Sequence, residues 1–248
     1  MNTMIKYGLK LWSNNIALFE EAVRAQKQGS FDFIELYSNS TAPDYAALRA
    51  LRDIPVTIHA PHDGAFHEFV ITETEETAWK HTRELADFFE SPVIVLHPGR
   101  DHTLESFKKN LDRIDDSRIC IENMAGLDVD HRPMFGQTIT DLKELRELKP
   151  ICFDFEKAIK AAAYQKLDYK EYIASALREL KPSYFHISGG DYKNAVDEHL
   201  DLIASNLDLT WIKHALTSLE GDAMLVFETP KRDGIMNDMR NMEYFRSL

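Results

Sequence analysis

The chain has 248 residues, 44% hydrophobic and 28% charged, enough for a full buried core under a polar surface. Its 29 basic and 41 acidic side chains give a formal net charge of −12, which disfavours non-specific adhesion to nucleic acid or an anionic membrane but tolerates a small local basic groove. Bound divalent cations would offset part of that charge.

Residues 1–7 lack the apolar stretch of a signal peptide, and no segment approaches the roughly 18 apolar residues of a membrane span. The two cysteines, Cys120 and Cys152, lie in apolar runs rather than in a CxxC pair. A reduced, cytoplasmic chain is the expectation, and nothing in the sequence signals a protein partner or a membrane.

In chain order, the first β-rich run covers residues 7–12, and helical periodicity follows over 16–28, closed by Gly29. A second run at 31–37 leads to a short helix at 44–51, a third at 56–59 to a helix at 75–89, and a fourth at 93–97 to a helix at 104–114. The fifth run, 119–122, precedes a helix at 139–148, and the sixth, 151–154, precedes a sixth helix and then another at 169–180. A seventh run at 184–187, a helix at 211–219 and an eighth run at 224–228 complete the pattern. Alternation of near-continuous apolar strands with helices implies a parallel sheet, and eight such units close into a (β/α)8 TIM barrel. An open doubly wound sheet is the other arrangement the pattern allows. No Gly/Pro/Ser-rich linker divides the chain, so residues 1–248 are read as one domain.

Chemistry gathers where the runs end. The third closes on Ile58-His59-Ala60-Pro61-His62, the fourth on Leu96-His97-Pro98-Gly99, and the fifth on Ile121-Glu122-Asn123. The sixth gives Phe153-Asp154-Phe155-Glu156-Lys157, the seventh Phe185-His186-Ile187-Ser188, and the eighth Phe227-Glu228-Thr229-Pro230. Six successive strands thus finish on a metal-capable side chain. In a barrel these ends share one face, and buried Asp, Glu and His are unfavourable unless paired or metal-bound. Neutral imidazoles and carboxylates suit zinc or manganese. For each residue alone, a hydrogen-bonded histidine or a capping carboxylate explains it equally well.

Further candidates surround this set. Asp197-Glu198-His199 forms an Asp-x-His pair after the seventh run, either a metal-ligand pair or a solvated loop. Trp12, Asn14, Glu35 and Tyr37 end the first two runs and are candidates to line a substrate pocket. Lys157, Lys193, Lys231 and Arg100 fall in loops expected near the site, while His81 and His214 sit on helices and read as structural.

His59-Ala-Pro, His97-Pro-Gly, Glu122-Asn123-Met-Ala-Gly126, Asp154, His186, Asp197-x-His199 and Glu228-Thr, taken in this order, resemble the xylose isomerase-like TIM barrels, and within them the endonuclease IV branch. The resemblance covers nearly the whole chain, and its specificity lies in the order of the motifs. It implies that His59, His97 and Glu122 hold one zinc, with Glu122 bridging to a second that Asp154, His186 and Glu228 complete. Asp197 and His199 would help hold a third ion, whose remaining ligand in the family is a histidine three residues after the aspartate. Lys157 stands there instead, which leaves two protein ligands and a protonated ammonium that cannot ligate. Two divalent ions, zinc or manganese, are therefore the expectation. Lys157 itself is a candidate to grip a phosphate as a point charge, or else a surface lysine starting the sixth helix. His62 replaces an aromatic residue that assists substrate binding in the family.

The resemblance implies a metal-dependent phosphoester hydrolase with Glu122, Glu228 and Lys157 as catalytic groups. Its substrate would be a small phosphorylated sugar or abasic DNA, contacted by Trp12, Glu35, His62, Lys157 and Lys231. A sugar or sugar-phosphate isomerase or epimerase is the alternative, with Glu122 and Glu228 shuttling a proton. A barrel that binds metal or ligand without catalysis is a third.

Overall fold

The computed structural model describes residues 3–39, 41–62, 73–99 and 103–248. Arg100, one of the candidate cations, lies outside them. Eight strands form a closed barrel in sequence order: β1 (Ile5–Trp12), β2 (Phe33–Tyr37), β3 (Val56–His59), β4 (Ile94–Leu96), β5 (Ile119–Glu122), β6 (Ile151–Asp154), β7 (Tyr184–Ile187) and β8 (Ala223–Phe227). All neighbours run parallel, and β8 pairs with β1 to close the ring. The outer layer consists of α1 (Ile16–Lys27), α2 (Tyr45–Leu48), α3 (Glu73–Phe88), α4 (Leu104–Ile114), α5 (Ile139–Leu148), α6 (Phe155–Gln165), α7 (Tyr169–Leu180), α8 (Leu209–Thr217) and α9 (Met236–Ser247).

The period of two along each strand explains why these segments read as apolar throughout. Outward-facing Leu9, Leu11, Ile34, Leu36, Ile58, Ile121, Phe153, Phe185 and Leu225 belong to the large core shared with the helices. The alternate positions face the barrel axis, where Phe33, Val95, Cys120, Cys152, Tyr184 and Val226 form a separate apolar floor. Gly8 belongs to this inner set, and the Phe33 ring takes the space its side chain would need: a Cβ there would lie 2.4 Å from Phe33 Cζ.

Polar caps set the helix starts. Thr103 and Thr138 each accept a hydrogen bond from the backbone N–H three residues on, in reciprocal capping boxes with Ser106 and Asp141. Asp44, Asp168 and Asp208 cap α2, α7 and α8. Asp154 is both the last residue of β6 and the N-cap of α6, accepting from Lys157 N–H at 2.9 Å. The helix therefore begins with no intervening loop.

Differences from the sequence reading are local. β4 and β8 stop one residue before His97 and Glu228, which stand just past the strands, and β2 begins at Phe33. α9 was not visible in the sequence. Its buried face carries Asn237, Asp238 and Asn241 beside Met242 and Phe245, so it lacks a clean apolar stripe. Among the described residues no helix is long and apolar enough to cross a membrane.

Candidate metal centre

The inward positions at the carboxyl ends of the strands converge above the floor, and Glu122 stands at the centre of the group. Fully buried, it points Oε2 at His97 Nε2 (2.6 Å) and His59 Nε2 (3.2 Å). Its other oxygen, Oε1, meets His186 Nδ1 at 3.0 Å and Lys157 Nζ at 2.6 Å. Glu228 Oε1 lies 3.2 Å from the same His186 nitrogen. Donor atoms of Glu122, Asp154, His186 and Glu228 all fall within 4.8 Å of one another, as do those of His59, His62 and His97.

The tautomers are set from behind. His59 Nδ1 is 2.7 Å from the carbonyl of Ala60, and His186 Nε2 is 2.9 Å from Glu35 Oε2. The Ala60 carbonyl takes an N–H from His59 Nδ1, which turns Nε2 toward Glu122. Burial alone would lower His186, but Cys152, Glu35, Glu228 and Glu122 outweigh it and hold the ring well above its ordinary value, with an N–H toward Glu35 and another toward Glu122. Glu35 is itself fixed by the Tyr184 hydroxyl (2.7 Å), which sits 2.6 Å from Thr57 Oγ1.

Two lysines complete the mouth. Lys157, 2% exposed, places Nζ 3.3 Å from His97 Nε2 and 3.9 Å from Asp154 Oδ2 as well as beside Glu122. It is not a surface lysine: the first turn of α6 folds it back over its own cap into the cluster. Lys10, on the inward side of β1, bridges Glu35 Oε1 and Glu228 Oε1 at 2.6 Å each. Sequence reasoning missed Lys10. Its signal was parity, because it alternates with Gly8 and Trp12 on the face of the strand that turns inward.

Burial alone would raise the Glu122 carboxyl, but Lys157, His186 and His97 outweigh it and hold the group well below the usual carboxylate range. Burial, with Lys157 adding to it, lowers His97 to about 3. Burial, reinforced by Lys10 at His59 and by His97 at His62, also lowers those two histidines. All three imidazoles are thus neutral near pH 7, the form that ligates. Asp154 is raised to about 6, chiefly by burial.

The donor chemistry fits divalent cations. Among the described residues Asp154 Oδ2 is buried without a hydrogen-bond partner, beside Glu122, His186 and Glu228. An orphaned carboxylate oxygen in a group of ligand atoms is what a cation would satisfy.

The remaining candidates divide between mouth and periphery. Asp197 and His199 pair at 3.0 Å, and His199 Nδ1 reaches Glu228 Oε2 at 3.5 Å. Trp12, Tyr37, His62, His199 and Glu228 line a cavity of about 400 Å³ together with Lys10, Thr229 and Pro230. Glu35 is fully buried beneath it, both oxygens taken. Lys231 salt-bridges Asp238 at 2.6 Å and lies 5.8 Å from the Trp12 ring centre, at the rim. Lys193 is exposed over Tyr192, and Asn14 is exposed on the β1–α1 turn. His81 and His214 sit on α3 and α8, outside the cluster.

A closed parallel barrel with His, Asp and Glu at its carboxyl mouth defines a class of metal-competent α/β barrels. Residues 22–248 match the family model described as xylose isomerase-like TIM barrel, and the chain belongs to that family. Among solved structures it is similar to endonuclease IV from Thermus thermophilus, with 21% identity, 98% of each chain covered and a TM-score of 0.72. It is also similar to an AP endonuclease, family 2, from Brucella melitensis (11% identity, 99% and 98% covered, TM-score 0.68). A third likeness is to an IolI protein with a bound zinc atom (12% identity, 97% and 96% covered, TM-score 0.61). At these identities the likenesses establish the fold. No curated protein matches the chain.

Proposed function

We propose that the chain is a metal-dependent phosphoester hydrolase acting on a phosphorylated sugar unit, either free or as the abasic unit of a nucleic acid. The observation that carries this reading is the position of Glu122, whose two oxygens face two different donor sets: His59 and His97 on one side, His186 with Asp154 and Glu228 on the other. Two divalent cations held by those sets, zinc or manganese, would activate a water and stabilise the attacking and leaving oxygens of an in-line displacement.

The chain's own groups have distinct tasks in this reading. Lys157 is a fixed positive charge beside both sets, suited to a phosphate oxygen. Lys10 anchors one oxygen of Glu228 and leaves the other toward the cavity-lining His199. Trp12 and Tyr37, with ring centres 6.1 Å apart, wall the cavity and restrict water. Two buried, unbridged thiols fit a cytoplasmic setting.

The test is hydrolysis by the metal-loaded protein of an abasic duplex and of small sugar phosphates. Chelator-sensitive incision or phosphate release, lost in Glu122→Gln, is expected. Absence of cleavage on both substrates at full metal loading would sink the reading.

One observation favours an isomerase or epimerase instead. The four buried carboxylates Glu35, Glu122, Asp154 and Glu228 already face two ammoniums, Lys10 and Lys157, and the His186 ring, so the formal remainder is at most two negative charges, which a single divalent cation covers. Glu122 and Glu228 would then move a proton between carbons. Solvent deuterium entering a sugar phosphate without phosphoester cleavage is the result that selects this reading.

A further inference from the structure

We propose that His62 is a metal ligand, completing a three-histidine cation site with His59 and His97 beside the carboxylate-rich Glu122–Asp154–His186–Glu228 set. The inference deepens the two-cation reading above and rests on it for the second ion.

Geometry carries the argument. One ring nitrogen from each of the three histidines lies within 4.8 Å of the other two. The ring centres are 5.3 Å apart for His59–His62, 5.0 Å for His59–His97 and 4.2 Å for His62–His97. His62 and His97 stack nearly parallel, at 17°, so a small rotation brings both nitrogens toward one point.

The His62 ring has no hydrogen-bond partner among the described residues, while its backbone N–H is pinned by a bond to the Tyr37 hydroxyl at 2.9 Å. A backbone held in place under a ring with unused nitrogens suits a ligand better than a packing residue. His59 is already turned for the task, its Nδ1 engaged by the Ala60 carbonyl.

The two donor sets differ in chemistry. Three imidazoles suit zinc or a similar borderline ion, whereas three carboxylates and one histidine accept harder ions such as manganese. A cavity of about 350 Å³, lined by His62, His97, Met124, Asp197 and His199 among others, opens on two of the three histidines. With Glu122 Oε2 as the fourth donor on the far side, it leaves room for a substrate oxygen to approach the ion as a fifth ligand.

The test titrates the stripped full-length protein with Co²⁺, following metal content and the visible absorption of tetrahedral cobalt in wild type, His62→Phe, His62→Cys and Asp154→Asn. Wild type is expected to take up two ions. His62→Phe should bind one of them at least about tenfold more weakly and lose the tetrahedral bands, His62→Cys should restore them with a thiolate, and Asp154→Asn should lose the other ion only. Unchanged affinity and spectrum in His62→Phe would overturn the proposal, as would a wild type that binds a single ion whose loss follows Asp154→Asn alone. Matching far-ultraviolet circular dichroism of the variants excludes misfolding as the cause. If two ions bind as expected and no phosphoester is cleaved, the histidine site stands and the hydrolase reading fails.

Discussion

The floor and the mouth of the barrel are built from the same eight strands, two residues apart. At the floor the inward positions are Gly8, Phe33, Thr57, Val95, Cys120, Cys152, Tyr184 and Val226. One step higher they become Lys10, Glu35, His59, His97, Glu122, Asp154, His186 and Glu228. The floor is held by apolar contact, which is non-directional. The mouth is held by ion pairs whose net worth depends on every partner being present. Substitutions should therefore be absorbed quite differently in the two layers.

The largest expected effect is in the mouth. Lys157→Met in chelated protein leaves Glu122 and Asp154 without their ammonium and should lower unfolding free energy by about 3–5 kcal/mol, measured by urea denaturation. A change below about 1 kcal/mol would show that the histidines alone balance the layer. Next comes the floor. Gly8→Ala drives a Cβ into the Phe33 ring and should destabilise by about 2 kcal/mol while leaving the number of bound ions unchanged; altered stoichiometry would mean the layers are not independent. Glu35→Gln weakens the acceptor of the His186 Nε2 proton and the partner of Lys10, which lines the cavity. It should reduce metal affinity at least about tenfold, read by competition with a chromophoric chelator. The smallest effect lies outside both layers: Thr138→Ala removes the capping box of α5 and should cost about 1 kcal/mol, with no change in metal binding.

Much of this was legible in the chain itself. Parallel strands buried on both faces give apolar runs, and the residue closing each run is where polar chemistry must surface, so His59, His97, Glu122, Asp154, His186 and Glu228 announced the mouth. Lys10 did not, because a lysine in a strand usually faces water, and only the closure of β1 against β8 turns it inward. The direction of Lys157 was equally hidden. It depends on α6 starting at Asp154 itself, so that the third residue of the helix returns over the cap. Glu156 and Lys160, four residues apart on the same helix, are fully buried, with Lys160 also bonded to Glu198. Burial of a charged pair is decided by the loop laid over it, and no periodicity records that.

The thiols of the floor carry one more consequence. Burial, tempered by His186, pushes Cys152 up to about 12, and burial with its neighbour Cys152 raises Cys120 as well. Neither presents a thiolate to a reagent in the intact barrel. Cys152 thus serves as an internal clock: the rate at which a thiol probe labels it reads how often the strands part, whereas Cys120 borders a cavity at the amino ends of the strands.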